Sequence, residues 1–395
     1  MTGGEPFHVL LVGNYAPDRQ FSMLRFATLL YEGLAARGVP VTLIQPPVVV
    51  GRRFARPRRP GKWIGYLDKF LLFPPRLRRA ARRSPAGQTV VHICDHSNAM
   101  YAPWVRHLPH LVTCHDLLAV RSARSEFAET NTRWSGRILQ AWIVRGLRQS
   151  DTVVCDSGAT RADLLRIAET PAERVGVIHP GVSQAFRPTA LTAASAHVRD
   201  LADRGGFILH VGGNNWYKNR VGLLKIYAAL VDRLPGAPPL VVAGKPLPPD
   251  IRALASTPGL SGRVIEFADL TDSDLAALYS SAALLLFPSL AEGLGWPVLE
   301  AMACGCRVVT SNRAPLTEVG GAAATYIDPQ RHSEAAAVVA NVLAESHADR
   351  QAHVAAGYAQ AAQFRLDKMI DGYLRTYRAV LDGASHIPSS LEAVK

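Results

Sequence analysis

No apolar stretch in this 395-residue chain reaches the roughly 18 residues that a membrane-spanning helix needs. The amino terminus has no apolar core of the kind a secretion signal carries. Cysteine is scarce, with five residues scattered at Cys94, Cys114, Cys155, Cys304 and Cys306. An odd, dispersed set excludes a disulfide scaffold, and most of these cysteines sit beside apolar runs, as buried free thiols in a reducing compartment would. Cys304-x-Cys306 lacks a second pair, so no structural metal site is expected there. No G-x-G-x-x-G follows the first apolar run; its loop reads Gly13-Asn14-Tyr15, which disfavours a dinucleotide fingerprint. These absences describe a cytoplasmic enzyme-sized chain without a span, a disulfide core or a bound dinucleotide.

Acidic residues are nearly missing from one segment. Between Arg52 and Arg83, twelve arginines and lysines are opposed only by Asp68, so +11 of the formal net charge of +12 arises there. Such a distribution implies one basic surface rather than a general affinity for nucleic acid, and no nucleic-acid module accompanies it. Within the segment lies KWIGYLDKFLLF, Lys62 to Phe73, with Trp63, Ile64, Leu67, Phe70 and Leu71 at helical spacing. Two readings stand open. One is an interfacial element that docks on anionic lipid or a polyprenyl-phosphate acceptor at the inner face of a membrane. The other is a core-packed helix followed by a solvated basic face.

A hydrophobic fraction of 48% supports two buried cores. Short apolar runs that break into loops predict strands at 9–12, 39–44, 89–94, 111–114, 152–155 and 175–178. After an Ala/Thr-rich stretch from Pro188, a second series follows at 207–211, 240–243, 264–267, 283–287 and 307–310. Helical patterns separate the strands, which is the signature of α/β, doubly wound parallel sheets. Domains are therefore expected at 1–187 and 188–365, with a helical carboxyl-terminal piece at 366–395.

The most informative peptide is EGLGWPVLE, Glu292 to Glu300. It follows the buried-strand pattern AALLLF, Ala282 to Phe287. Gly293 and Gly295 permit positive φ and a close approach of backbone to ligand. Pro297 suits the first turn of a helix that Gly305 stops. Glu292 then lies on the strand-end loop and Glu300 one turn into the helix. Two carboxylates flanking a helix amino end suit a diphosphate with hydroxyl-bearing groups on either side.

The E-x7-E spacing and the surrounding block Phe287 to Gly321 resemble the retaining GT-B glycosyltransferases of glycosyltransferase family 4. TCHD (Thr113 to Asp116), VVCDSGATRADLLR (Val153 to Arg166), ERVGVIHPGVSQAFRP (Glu173 to Pro188), HVGGNNWYKN (His210 to Asn219) and FRLDKMIDGYLRTYRAVL (Phe364 to Leu381) extend the likeness over most of the chain. The resemblance implies two Rossmann-like domains facing across a cleft, with the last helix returning to the amino-terminal domain. It implies a hexosyl-type group moved from a UDP- or GDP-linked sugar to a hydroxyl of a glycan, glycolipid or small glycoside.

By resemblance, Lys218 neutralises the departing diphosphate, Glu292 holds the transferred sugar, and His115 contacts that sugar from the other domain. Glu300 accepts from the ribose hydroxyls, as a carboxylate can from a vicinal diol. The donor site is expected to draw further on Gly13, Asn14, Gly213, Asn214, Asn219, Phe267, Gly293, Leu294, Gly295, Trp296 and Val298. Family members often carry an arginine earlier in the Lys218 loop. Asn214, Asn215, Trp216 and Tyr217 stand there instead, leaving Arg220 as the candidate replacement. Asp272-Ser273-Asp274 matches an Asp-x-Asp metal pattern but precedes a helical stretch and reads as a cap, so no metal and no other cofactor is expected. Competing readings are a GT-B phosphorylase or epimerase, and a non-catalytic carbohydrate- or membrane-binding protein on the same scaffold.

Overall fold

The structure, a computed structural model, describes residues 6–49, 65–85, 87–201 and 206–384. The chain divides into two compact units, residues 1–181 with 366–395, and residues 182–365. Each is built on a six-stranded sheet. In the first, β1 (His8–Val12), β2 (Val41–Ile44), β3 (Thr89–Ile93), β4 (His110–Cys114), β5 (Thr152–Cys155) and β6 (Val175–Val177) lie in the order β2-β1-β3-β4-β5-β6. In the second, β7 (Ile208–Gly212), β8 (Leu240–Gly244), β9 (Val264–Phe267), β10 (Leu284–Phe287), β11 (Val308–Ser311) and β12 (Ala324–Ile327) take the order β12-β11-β10-β7-β8-β9. Every pairing is parallel.

Parallel strands are covered on both faces, so they read as unbroken apolar runs. Alternate side chains serve opposite faces. Leu10 and Val12 join the cluster that holds Phe73, Leu77 and Leu147, whereas Val9 and Leu11 join Phe26, Leu30, Ile370, Tyr373 and Tyr377. The helices Phe21–Ala35 and Leu366–Leu381 thus cover one face of the first sheet. A buried hydrogen-bond chain fastens the latter: Tyr377 Oη to His92 Nδ1 at 2.7 Å, His92 Nε2 to Thr113 Oγ1 at 2.7 Å, and Thr113 Oγ1 to Tyr373 Oη at 2.9 Å. All five cysteines are buried and free.

One edge strand departs from the sequence reading, and one segment can be described further. The edge strand β12 was not anticipated, because three of its four residues are only half-buried and ATYI shows no apolar run. The 62–73 stretch had two open readings, an interfacial element and a core-packed helix with a solvated basic face. From residue 65 it is helical, with a π-turn at Asp68–Leu72 leading into the helix Phe73–Arg83. Phe70, Phe73, Leu77 and Ala81 pack into the core, while Leu67 and Leu71 are exposed. Asp68 is fully buried and accepts from Tyr15 Oη at 2.7 Å. Trp63, Ile64, Lys62 and Arg52, Arg53, Arg56, Arg58 and Arg59 lie outside the described residues. Among the described residues no helix is long and apolar enough to cross a membrane.

Candidate functional site

An open parallel sheet receives ligands at the carboxyl ends of its strands, where the strand order reverses and adjacent loops diverge. In the second unit that reversal falls between β7 and β10. Lys218 closes the short turn Trp216–Lys218 after β7, and Glu292 lies in the loop after β10. The two meet there: Lys218 Nζ donates to Glu292 Oε1 at 2.6 Å, with side chains only 13% and 8% exposed. The ammonium also lies 4.8 Å from the centroid of the Phe287 ring, over its face. The Leu290 amide donates to the Tyr217 carbonyl at 2.7 Å, tying the two loops together.

Beside this pair the helix Trp296–Ala303 begins. Gly295 is its N-cap at φ 104°, a conformation side chains resist, and Leu316 fills the space a Cβ would need. Pro297 stands in the first turn, and the remaining amino-end N–H groups form an anion-favouring terminus. Leu294 and Val298 are buried packing residues. Glu300 is 5% exposed and accepts from Tyr279 Oη at 3.1 Å. Burial, and then Glu300 itself, raise the Tyr279 phenol far above its ordinary value and keep it a donor.

Arg220, the candidate replacement for the absent loop arginine, is engaged by protein acceptors. It is 3% exposed, and its guanidinium donates to the Gly212 and Lys245 carbonyls at 2.7 Å each and to Asn214 Oδ1. These acceptors belong to the loops after β7 and β8, so Arg220 fastens loops instead of facing a ligand. Asn214 completes the tie by donating to the Pro246 carbonyl at 2.8 Å. Asn219 is likewise framework: at φ 53° it caps the helix Arg220–Arg233, accepts from the Gly222 amide at 3.2 Å and donates to the Pro288 carbonyl at 3.0 Å. Lys245, which the sequence did not single out, is left at the rim. Its side chain passes 4.0 Å from where a Cβ on Gly213 would lie, and its ammonium pairs with no described residue. Phe267 is half-buried in the core margin, and Glu266 beside it is paired with Arg252 at 2.8 Å. Arg313 donates to the Leu290 carbonyl at 3.2 Å and Gln330 at 3.0 Å. Asp274 forms a capping box with Thr271 and accepts from Ser195, which accounts for the Asp-x-Asp pattern.

In the first unit the reversal lies between β1 and β3. Gly13 and Asn14 follow β1, and Asp95 follows β3; Asn14 donates to Asp95 and, at 2.6 Å, to Gln20 Oε1. His115, after β4, is 4% exposed with both ring nitrogens engaged: Nδ1 to Asp156 Oδ2 at 2.6 Å and Nε2 to the Cys94 carbonyl at 2.8 Å. Asp156 after β5 was not foreseen as its partner, although a carboxylate at a strand end was the available signal. Burial opposes charge on the imidazole, but the Asp156 carboxylate and its hydrogen bond outweigh it, raising His115 to about 9.

A raised folded-state value fixes the sign of a pH effect. The stabilisation is complete below the ordinary histidine value near 6.5 and fades as pH rises through about 9. Between those limits urea unfolding should show a loss of roughly 1–3 kcal/mol that His115→Gln lacks. Identical pH slopes for the two proteins would refute the charged pair.

Comparison with known proteins agrees across the chain. Residues 23–186 match the family model described as Glycosyltransferase Family 4, and residues 196–360 that of Glycosyl transferases group 1. The chain is 27% identical over 325 residues to the O-antigen chain mannosyltransferase B of Escherichia coli, covering 80% of this chain and 83% of the relative. It is also 27% identical over 293 residues to the Escherichia coli serotype-specific mannosyltransferase WbdA. That match covers 71% of this chain but only 34% of that longer relative. Among solved structures, Anabaena HepE in complex with UDP and glucose aligns with a TM-score of 0.70 at 16% identity, covering 94% of this chain and 100% of that one. At that identity the structural match speaks for the fold alone.

Proposed function

Because the chain belongs to glycosyltransferase family 4 and has the GT-B fold, we propose that it transfers a hexosyl group, with retention, from a UDP- or GDP-linked sugar to a glycan hydroxyl. A mannosyl donor is the first to test, given the mannosyltransferase relatives. The observation that carries this reading is the Lys218–Glu292 pair at the β7/β10 reversal, beside a helix amino end. Two charges withdrawn from water hold together only while each has the other. A diphosphate offers Lys218 a second anion, and a sugar offers Glu292 hydroxyl donors in place of the ammonium. Negative charge growing on the leaving phosphate is then met by Lys218 and the helix N–H groups. That phosphate, still beside the anomeric carbon, accepts the proton of the incoming hydroxyl on the same face. Glu300 holds the ribose. Asp274 is spent on its cap, so no metal is assigned.

The pair predicts opposite effects for its two members. Glu292→Gln should leave nucleoside-diphosphate affinity unchanged or higher, since Lys218 loses its competitor, while lowering transfer about 100-fold or more. Lys218→Met should weaken diphosphate binding about 10-fold or more. Isothermal titration and transfer assays in excess chelator read both. Wild-type protein that binds no nucleoside diphosphate would sink the proposal.

With Arg220 committed to backbone, Lys245 supplies the second positive charge at the diphosphate. Lys245→Gln should cut affinity for nucleoside diphosphates about 10-fold, leave monophosphate binding nearly untouched, and be rescued by Lys245→Arg. Equal losses for mono- and diphosphates would exclude this role.

The acceptor reading includes peripheral attachment to an anionic membrane. Trp134, Ile138 and Trp142 sit four residues apart on the helix Trp134–Arg148 and are 76%, 61% and 42% exposed. The Phe70 ring lies tilted against Trp142 at 5.4 Å between centroids, and the next residue, Leu71, is exposed. Aromatic and arginine side chains together suit a lipid interface. Trp134→Ser/Trp142→Ser should abolish pelleting with phosphatidylglycerol vesicles; undiminished pelleting would remove this face from the account.

A further inference from the structure

We infer that the first unit carries a second anion site, a phosphate-binding groove between the helix Phe73–Arg83 and the short helix Ala102–Val105. The groove has a volume of about 600 Å³ and is lined by Arg78, Arg82, Pro103, Trp104, Arg106 and His107. It is independent of the donor site, which belongs to the other unit, and of which sugar is transferred.

The local sequence explains the convergence. Phe73, Leu77 and Ala81 bury one stripe of the Phe73–Arg83 helix. Arg78 and Arg82, four residues apart, share the flank beside that stripe and lean over the same ground. Arg106 and His107 arrive from the other side, just after the Ala102–Val105 helix. Like charges spaced four apart on a helix destabilise it by a few tenths of a kcal/mol, and Arg106 adds to the repulsion. No described residue relieves it, since none of the three guanidinium groups makes an ion pair or hydrogen bond with one. Arg121 and Arg166 in the same unit, by contrast, are paired with Glu126 and Asp163.

Favourable placement at helix carboxyl ends accounts for Arg82 and Arg106 one at a time. It does not account for Arg78, which lies mid-helix, nor for a concave site walled by a 37% exposed Trp104. Three forked donors around a depression match the oxygens of a phosphate group, which guanidinium binds two bonds at a time. The volume exceeds what inorganic phosphate fills, so Trp104 and Pro103 are left to carry the group that bears the phosphate. Topology separates this site from the reaction. Arg82 precedes β3, and Arg106 and His107 precede β4, so the groove lies at the amino ends of strands whose carboxyl ends carry Asp95 and His115. It is a holding site for a phosphate ester, either a lipid headgroup or a soluble phosphate.

The test compares wild type with Arg78→Gln/Arg82→Gln/Arg106→Gln, whose substitutions are exposed and touch no residue of the transfer site. One arm follows line broadening of inorganic phosphate by phosphorus NMR, with the donor site filled by nucleoside diphosphate. The other measures pelleting with phosphatidylcholine vesicles that contain or lack phosphatidic acid. The triple variant should bind at least about 10-fold more weakly in one arm or both, with unchanged transfer to a soluble acceptor. Loss in the first arm identifies a soluble phosphate; loss confined to the second identifies a headgroup. Wild-type binding retained by the variant in both arms, or no binding by wild type in either, would overturn the assignment.

Discussion

Where β7 and β10 lie side by side, the loops leaving them turn apart, and a 2.6 Å ion pair between Lys218 and Glu292 closes the gap. Such a pair is a poor source of net stability, because desolvating both charges consumes much of their attraction. Its value lies in what it holds ready. In the proposed reaction each partner is met by a group of the donor instead of by the other. Phosphate oxygens take the place of a carboxylate, and sugar hydroxyls take the place of an ammonium. A site built in this way is nearly neutral when empty and gains its full electrostatic strength only with a complete donor.

That exchange needs loops that do not move, and Arg220 supplies the restraint. A guanidinium cannot give up its charge at ordinary pH, so burying it demands acceptors. The Gly212 and Lys245 carbonyls and Asn214 provide them. Gly244 keeps a positive φ where a Cβ would overlap the Gly212 carbonyl, which lets the β7 and β8 ends approach closely enough to share one cation. Lys245 is presented outward as a consequence of its own carbonyl being pinned.

Much of this was legible in the sequence, and the part that was not has a physical reason. The strands showed because burial on both faces leaves runs such as Leu284–Phe287 with no polar interruption. Lys218, Glu292 and the Gly295 turn were legible because strand-end loops in a doubly wound sheet have few ways to place a ligand. What failed was partnership across sequence distance. Arg220 and Lys245 are 25 residues apart, and nothing local tells which of two cations points inward. His115 and Asp156, 41 apart, are joined only by β4 and β5 pairing in register. β12 was hidden because an edge strand needs burial on fewer sides.

Three buried histidines show how far neighbours, rather than residue type, decide charge. His92 is lowered to about 3 by burial and then by His115, and His210 to about 3 by burial with Arg220 and Lys218 nearby. His115 suffers the same burial yet is raised to about 9, because Asp156 and Asp95 stand beside it. The strand ends of the first unit are thus acidic enough to hold an imidazolium. His210, inside β7, is kept neutral first by its burial, with Arg220 and Lys218 adding to the effect. In the first unit the carboxylates Asp95 and Asp156 are engaged by Asn14, Ser97 and His115, so charge and partner are settled together across the strand ends.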